Sequence, residues 1–262
     1  MKKAVILGCG GSSGVPGIGN YWGNCDPSEP KNMRQRTSLA LMNGEAAVLI
    51  DTGPDIVSQY NAMNIKRLDA VIYTHGHADH INGADELRWV FEKTKKPIKV
   101  YSSIETVDEL KKRFYYLFEP PRPDMYSKIF DVTAWNKSDF YKSHKVSNFA
   151  FDLIPLDHET VTSCGFRFGD ALAYTTDVVR MSEDSLKALK GVETWVVDAG
   201  AYHVRENKAH ASIEDVIEWN EIVKARQVYF TAMPPSMDYQ TVLNETPEGY
   251  APAYDGLEIP LE

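Results

Sequence analysis

The sequence predicts an α/β fold in which two sheets pack between helices. Short apolar runs alternate with longer amphipathic stretches along the whole chain. No low-complexity linker and no internal repeat breaks that alternation. The 262 residues, 43% of them hydrophobic, suffice for a sizeable buried core, so one domain over 1–262 is expected.

Ala4 to Leu7 reads as a buried first strand, and Gly8-Cys9-Gly10-Gly11-Ser12-Ser13-Gly14 as the tight turn after it. That glycine run matches neither the dinucleotide fingerprint nor the phosphate-loop pattern. Asn20 to Asn32 is loop by composition. Ser38–Met42 and Ala46–Ile50 form two strands joined at Asn43-Gly44, a strong hairpin signal. Ile56–Met63 is helical, and the apolar strand Leu68–Tyr73 runs straight into Thr74-His75-Gly76-His77. Asp85–Lys93 reads as helix, Ile98–Tyr101 as strand and Ile104–Phe118 as helix, broken by Pro120-Pro121-Arg122-Pro123. Strands dominate after Val132, at Ala150–Leu156, Cys164–Phe168 and Ala171–Thr175. A helix at Ser182–Leu189 and a strand at Thr194–Asp198 follow. Ser212 caps a helix reaching about residue 225, and Gln227–Thr231 is the last strand expected.

The formal charge of −9 disfavours a phosphate backbone as partner, so long nucleic acid is not expected. Lys111, Lys112, Arg113, Arg122 and Lys128 are the densest basic side chains, and they read better as a solvated helix face than as a binding patch. Cys9, Cys25 and Cys164 are widely spaced, without a CxxC pair, which fits a reducing cytoplasm. Cys9 and Cys164 read as small buried apolar residues. The first eight residues are too short for a signal peptide or a membrane span.

His75-Gly76-His77-Ala78-Asp79-His80 places four metal-competent side chains in six residues at the end of a buried strand. Imidazole and carboxylate are the ligands that zinc, manganese and iron accept, and strand carboxyl ends are where α/β sites form. A lone histidine would read as core or surface; this density does not. Other ligands must come from elsewhere in the chain. His158 follows Leu153-Ile154-Pro155-Leu156-Asp157, and Asp177 follows Ala173-Tyr174-Thr175-Thr176, each at a strand end.

Thr74 to His80 resembles the signature of the metallo-β-lactamase superfamily, and Asp51-Thr52-Gly53 resembles its first motif. His158 with Gly165-Phe166-Arg167, Tyr174 to Asp177, Asp85-Glu86-Leu87-Arg88, the opening Leu7 to Pro16 and Ala253-Tyr254-Asp255-Gly256 are similar to the branch holding tRNA 3′-end ribonucleases and phosphoribosyl cyclic phosphodiesterases. The resemblance implies a four-layer αββα sandwich binding one or two divalent ions, zinc or manganese. By matching positions, His75, His77 and His158 would hold the first metal, Asp79 and His80 the second, and Asp177 would bridge. His210 matches a histidine that protonates a leaving group, and Asp198 at a strand end would orient it. The loop holding Cys25 lacks the further cysteines of a structural zinc site, so none is expected.

One position departs from the family. Where a histidine stands in a Thr-His-Met setting, this chain has Thr231-Ala232-Met233. A mononuclear enzyme, an enzyme with a loose second metal and a protein that binds without turnover are the three outcomes, in that order. The resemblance implies a metal-dependent phosphodiesterase acting on a small cyclic phosphate or nucleotide through a metal-activated hydroxide, with Asp79 orienting or accepting from the water. Arg88 or Ser12-Ser13 would hold phosphate, and Phe114 to Phe118 would either wall a base or pack a helix. The alternatives are a lactonase or thioesterase on the same fold and an impaired nucleotide-binding protein. A small phosphorylated substrate, no membrane, a cytoplasmic location and a possible homodimer complete the expectations.

Overall fold

The computed structural model describes residues 2–261. In chain order its elements are β1 (Lys2–Gly8), β2 (Ser38–Asn43), β3 (Ala46–Ile50), α1 (Ile56–Ala62), β4 (Arg67–Ile72), α2 (Ala78–Ile81), α3 (Arg88–Thr94), β5 (Ile98–Ser103), α4 (Ile104–Phe118) and β6 (Phe130–Trp135). The second half adds β7 (Ser143–Val146), β8 (Phe149–His158), β9 (Val161–Phe168), β10 (Leu172–Thr175), α5 (Glu183–Ala188), β11 (Thr194–Asp198), α6 (Ile213–Val223), β12 (Gln227–Thr231), α7 (Tyr239–Glu245), β13 (Tyr250–Pro252) and β14 (Glu258–Pro260).

Two seven-stranded sheets result. One runs β14-β1-β2-β3-β4-β5-β6, and the other β13-β12-β11-β10-β9-β8-β7. Both are mixed. The β1-β2-β3 and β7-β8-β9-β10 segments are antiparallel, whereas β3-β4-β5-β6 and β10-β11-β12-β13 are parallel. Apolar runs that do not alternate with polar residues are the mark of strands covered on both faces. Here the alternation is between two cores. Ala4, Ile6, Leu39, Leu41, Val48, Ile50, Ala70 and Ile72 join the cluster shared with the second sheet. Their neighbours Val5, Leu7, Ala40, Met42, Ala47, Leu49 and Val71 join a second cluster with Ile56 of α1, Phe91 of α3 and Leu110 and Leu117 of α4. On the far side of the second sheet, Leu186 of α5, Ile213 and Val216 of α6 and Val242 of α7 close the packing. This is the four-layer αββα sandwich that the resemblance implies.

The caps follow the sequence. Ser103 accepts from the Thr106 N–H (3.2 Å) at the start of α4. Ser212 and Asp215 form a reciprocal capping box at the start of α6. Lys224, in the left-handed region, ends α6 one turn before Gln227. The C-terminal segment is tied to the first strand through Asp255, whose carboxylate accepts the N–H groups of Cys9 (3.1 Å) and Gln35 (2.7 Å). Cys9, Cys25 and Cys164 are all buried as free thiols. Among the described residues, no helix is long and apolar enough to cross a membrane.

Several elements differ from the sequence expectation. Asp85–Lys93 divides into a short 3-10 turn at Ala84–Leu87 and then α3. α7 is capped by Asp238, which accepts from the Thr241 N–H. Its seven residues carry no run of apolar spacing long enough to announce a helix. β13 and β14 are three residues each, and each includes a proline. They exist because the neighbouring strands offer them hydrogen bonds, which local sequence does not encode.

Candidate metal centre

The site lies at the carboxyl ends of β3, β4, β8, β10, β11 and β12. β4 ends at Ile72, and the chain then turns through Thr74 into α2, a single turn made of Ala78 to Ile81. That turn holds Asp79 and His80, while His75 and His77 lie in the approach to it. Gly53 permits the packing: a Cβ there would stand 2.0 Å from the Asp79 carbonyl oxygen.

Asp51, fully buried after β3, fixes the cluster. Its carboxylate accepts from the Thr74 N–H (2.8 Å), the Thr74 Oγ1 hydroxyl (2.8 Å) and His80 Nδ1 (2.7 Å). With the Thr74 hydroxyl hydrogen committed to Asp51, its oxygen accepts from His75 Nδ1 (3.0 Å). Both rings therefore carry a proton on Nδ1 and turn Nε2 to the cavity, the carboxylate–histidine arrangement that orients metal ligands.

The rings converge. Centroids of His75 lie 4.5 Å from His77, 4.3 Å from His80 and 5.0 Å from His158. His158, the last residue of β8, places Nε2 3.2 Å from His77 Nδ1 and 3.8 Å from Asp177 Oδ1. His80 Nε2 stands 3.2 Å from Asp177 Oδ2 and 3.5 Å from Asp79 Oδ2. All six side chains singled out as ligands thus meet at one place, although His158 and Asp177 are far from the others in sequence.

The donor set fits a cation. One ligand atom from each of His75, His77 and His158, and likewise from His75, His80 and Asp177, falls within 4.8 Å of the others. His75 Nε2 is buried and has no hydrogen-bond partner among the described residues, a position costly to leave unanswered. Since one Nε2 serves one ion, His75 cannot complete both groups. If it joins His77 and His158, then His80, Asp177 and Asp79 remain for a second ion.

The electrostatics separate the two groups: the first is ready to bind, whereas an ion at His80 Nε2 would replace a proton. Burial holds the pKa values of His75 and His77 below the usual histidine value, so both are neutral donors. Burial also disfavours charge on His80, but the carboxylates of Asp177 and Asp51 outweigh it and raise its pKa well above normal. His80 opposes the burial of Asp177 and holds that carboxyl well below its usual range. Asp79 is lowered in the same way, His80 again prevailing over burial.

Ala232, immediately after β12, has φ 57° and is buried. Asp51 (φ 64°) and Asp177 (φ 54°) share that left-handed backbone just past a strand end. Non-glycine residues adopt it infrequently, and Asn, Asp and His do so most readily. The backbone at 232 is therefore shaped as at the two site aspartates, yet it offers only a methyl group.

Beside the histidines lies a pair. Asp198 ends β11 fully buried, accepting the N–H groups of Val178 (2.9 Å) and Gly200 (2.7 Å) and contacting His210 Nδ1 at 2.9 Å. Asp198 raises the pKa of His210 to about 9. The His210 ring is 5.6 Å from that of His158. A Cβ at residue 200 would come within 2.9 Å of both His210 Cγ and the Ala232 carbonyl, so glycine there admits the close approach.

Other sequence candidates lie elsewhere or are already engaged. The Arg88 guanidinium pairs with Asp85 (2.6 Å) on the outer helices, and the Ser12 carbonyl accepts from Arg36 Nε (3.3 Å). Leu117 and Phe118 are core residues and Phe114 packs against them, whereas Tyr115 is exposed. Lys112, Arg113, Arg122 and Lys128 each lie against a carboxylate. His144 packs on Trp135 and Phe151. Sequence reasoning marked Asp51 only as part of a motif. Its hold on both Thr74 and His80 was unreadable, because those contacts span more than twenty residues.

The family model described as a beta-lactamase superfamily domain matches residues 46–233, from β3 through Met233, a span containing every residue of the centre. A diphosphatase of the PhnP family is 29% identical, covers 98% of this chain and 96% of its own, and superposes with a TM-score of 0.85. Zinc-bound PqqB from Methylobacterium extorquens (19% identical, 99% of this chain and 100% of its own, TM-score 0.72) shares the fold. Human short-form tRNase Z shares it too (16%, 100% of both chains, TM-score 0.69). Among curated proteins, an octanoyltransferase of Porphyromonas gingivalis is 27% identical over 266 residues, covering 99% of this chain. This chain spans about half (52%) of that relative's length.

Proposed function

We propose that this chain, which belongs to the beta-lactamase superfamily domain family, is a metal-dependent hydrolase that cleaves a P–O bond in a small phosphodiester or diphosphate. The observation that carries this is the convergence of His75, His77 and His158 with Asp177 around an unpartnered His75 Nε2, next to the His210–Asp198 pair. The similarity to a PhnP-family diphosphatase favours phosphorus over carbon as the atom attacked.

His75, His77 and His158 would hold one divalent ion, and Asp79, His80 and Asp177 a second. A bound ion supplies Lewis acidity and brings the pKa of water toward neutrality. Asp79, partly exposed at the lip of the cluster, accepts the proton of the attacking water. His210, held as an imidazolium by Asp198, donates a proton to the departing oxygen. The water oxygen joins phosphorus as the P–O bond breaks, and the departing oxygen leaves protonated. We propose zinc or manganese as the ion, residues 1–262 as one domain and the cytoplasm as its location. No membrane partner is proposed, a homodimer is, and long nucleic acid is not the substrate.

A second reading, hydrolysis of an acyl ester or thioester on the same centre, is favoured by one finding, the relative named an octanoyltransferase. Since this chain matches only half of that protein, the transferase chemistry could belong to the other half. A substrate panel separates the readings. Protein loaded with manganese or zinc is assayed on bis-p-nitrophenyl phosphate, a cyclic nucleotide, a nucleoside diphosphate and an octanoyl thioester. Turnover of a phosphorus substrate that disappears in His75→Ala is expected. Thioester turnover alone would establish the second reading, and binding without turnover would refute both.

A further inference from the structure

His210 sits near the end of a loop, residues 199–211, that leaves β11 and returns to α6. The loop is closed on itself: the Ala201 N–H donates to the Ala211 carbonyl (3.0 Å) and the Ile213 N–H to the Tyr202 carbonyl (2.8 Å). Within it, the Asn207 side chain accepts from the N–H groups of Ala209 (2.8 Å) and His210 (3.0 Å). Residues 202–203 and His210 are thus joined by a short hydrogen-bonded path.

His203 stands at that point, between two helices. Its Nδ1 lies 2.6 Å from Glu214 Oε1 in the first turn of α6, and its Nε2 3.1 Å from Glu245 Oε2 at the end of α7. Ionised carboxylate oxygens only accept hydrogen bonds, and a neutral imidazole has one N–H. Both contacts together require the imidazolium. We propose that protonated His203 is a positioning residue, bridging α6 to α7 and thereby holding the 199–211 loop in the conformation that seats His210 on Asp198. The inference rests on the reading of His210 as the proton donor only for its effect on turnover; its effect on the loop stands apart.

The surroundings favour the charged form. The Tyr202 hydroxyl donates to the same Glu245 Oε2 (2.7 Å), and its ring lies 4.0 Å from the His203 ring, centroid to centroid. Glu214 Oε2 is buried without a hydrogen-bond partner among the described residues. Arg205 is occupied by Asp215 (3.3 Å) and Glu218 (2.8 Å) of α6, so it does not neutralise Glu214 or Glu245. Asp238, capping α7, adds negative charge near Tyr202. Partial burial opposes charge on His203, but Glu245 and Glu214 prevail and raise its pKa above the usual value. Loss of that proton breaks one bridge and sets a ring lone pair against a carboxylate.

The test compares wild type with His203→Gln and Glu245→Gln. Backbone hydrogen exchange over 199–211 is followed at about pH 6 and about pH 9.5, with imidazole titration by NMR. In wild type, protection over the loop, corrected for the intrinsic rise of amide exchange with pH, should fall roughly two- to five-fold between those values, the size of one exposed ion pair, so that exchange beyond the intrinsic rise reports the bridge. In H203Q exchange should be fast at the lower pH already, and in E245Q the His203 pKa should fall toward that of a free histidine. With metal loaded, H203Q should lower kcat and leave KM unchanged. Loop exchange in H203Q matching wild type at the lower pH, or His203 titrating as a free histidine in wild type, would overturn the proposal. Exchange behaving as expected in a protein without phosphorus-substrate turnover would leave the bridge standing and overturn the P–O cleavage reading alone.

Discussion

Replacing Asp51 by Asn should disable the metal centre without touching a ligand. The carboxylate receives three hydrogen bonds, two from Thr74 and one from His80 Nδ1, and is completely buried. An asparagine of the same size can accept through Oδ1, but its amide brings two hydrogens into a space lined with donors. The relief open to His80 is to accept at Nδ1 and move its proton to Nε2. That is the atom facing Asp177 and Asp79. A ring with a protonated Nε2 is no ligand. Loss of an orienting carboxylate of this kind lowers metal affinity by ~10–100-fold, or ~1.4–2.7 kcal/mol. The assay is a competition titration against a chromophoric chelator, run on both proteins after circular dichroism has shown both to be folded. The weaker ion should bear the loss, because His80 belongs to the second group. Unchanged affinity at both sites would refute the orienting role of Asp51.

Three further outcomes are expected. Ala232→His places an imidazole on a backbone already shaped for it and should raise occupancy of the second ion, read as ions per chain by elemental analysis; unchanged stoichiometry would show that the gap is otherwise filled. Asp198 lifts His210 from the ~6.5 of an unfolded chain to about 9. The pair's contribution to folding is therefore complete below the unfolded value and disappears as pH rises through the folded one. Asp198→Asn should return the His210 titration seen by NMR toward the unfolded value and flatten stability over that interval. Gly53→Ala drives a methyl into the Asp79 carbonyl oxygen, 2.0 Å away. It should destabilise the protein by ~1–3 kcal/mol in thermal unfolding, the usual cost of overpacking, and a melting temperature equal to wild type would contradict that packing.

Strands buried on both faces were legible because their central residues are apolar without interruption, as in Ala46–Ile50 and in Trp195-Val196-Val197 of Thr194–Asp198. The helix Ile104–Phe118 was legible to its last residue, since Ser103 caps it and prolines follow. β7, with the polar Ser143-His144-Lys145 at an edge, and the three-residue β13 and β14 were not. Such strands are defined by a neighbour's free hydrogen bonds rather than by their own side chains. At the site, the dense cluster from His75 to His80 announced itself, and His158 and Asp177 were found because polar residues at the ends of apolar strands are conspicuous. Asp51 was visible as a motif but not as the group that fixes two tautomers. The role inferred for His203 was not legible at all, because its partners lie eleven and forty-two residues away on two different helices.

The proposed chemistry requires His75, His77 and His158 to grip an ion in common. The direct measurement is metal content per chain after loading with zinc or manganese and exhaustive dialysis, made on wild type and on His158→Ala in parallel. Wild type should retain at least one ion per chain and the variant should lose it, with both proteins folded. A folded wild type that retains none, or a variant that retains as much, would contradict the shared centre.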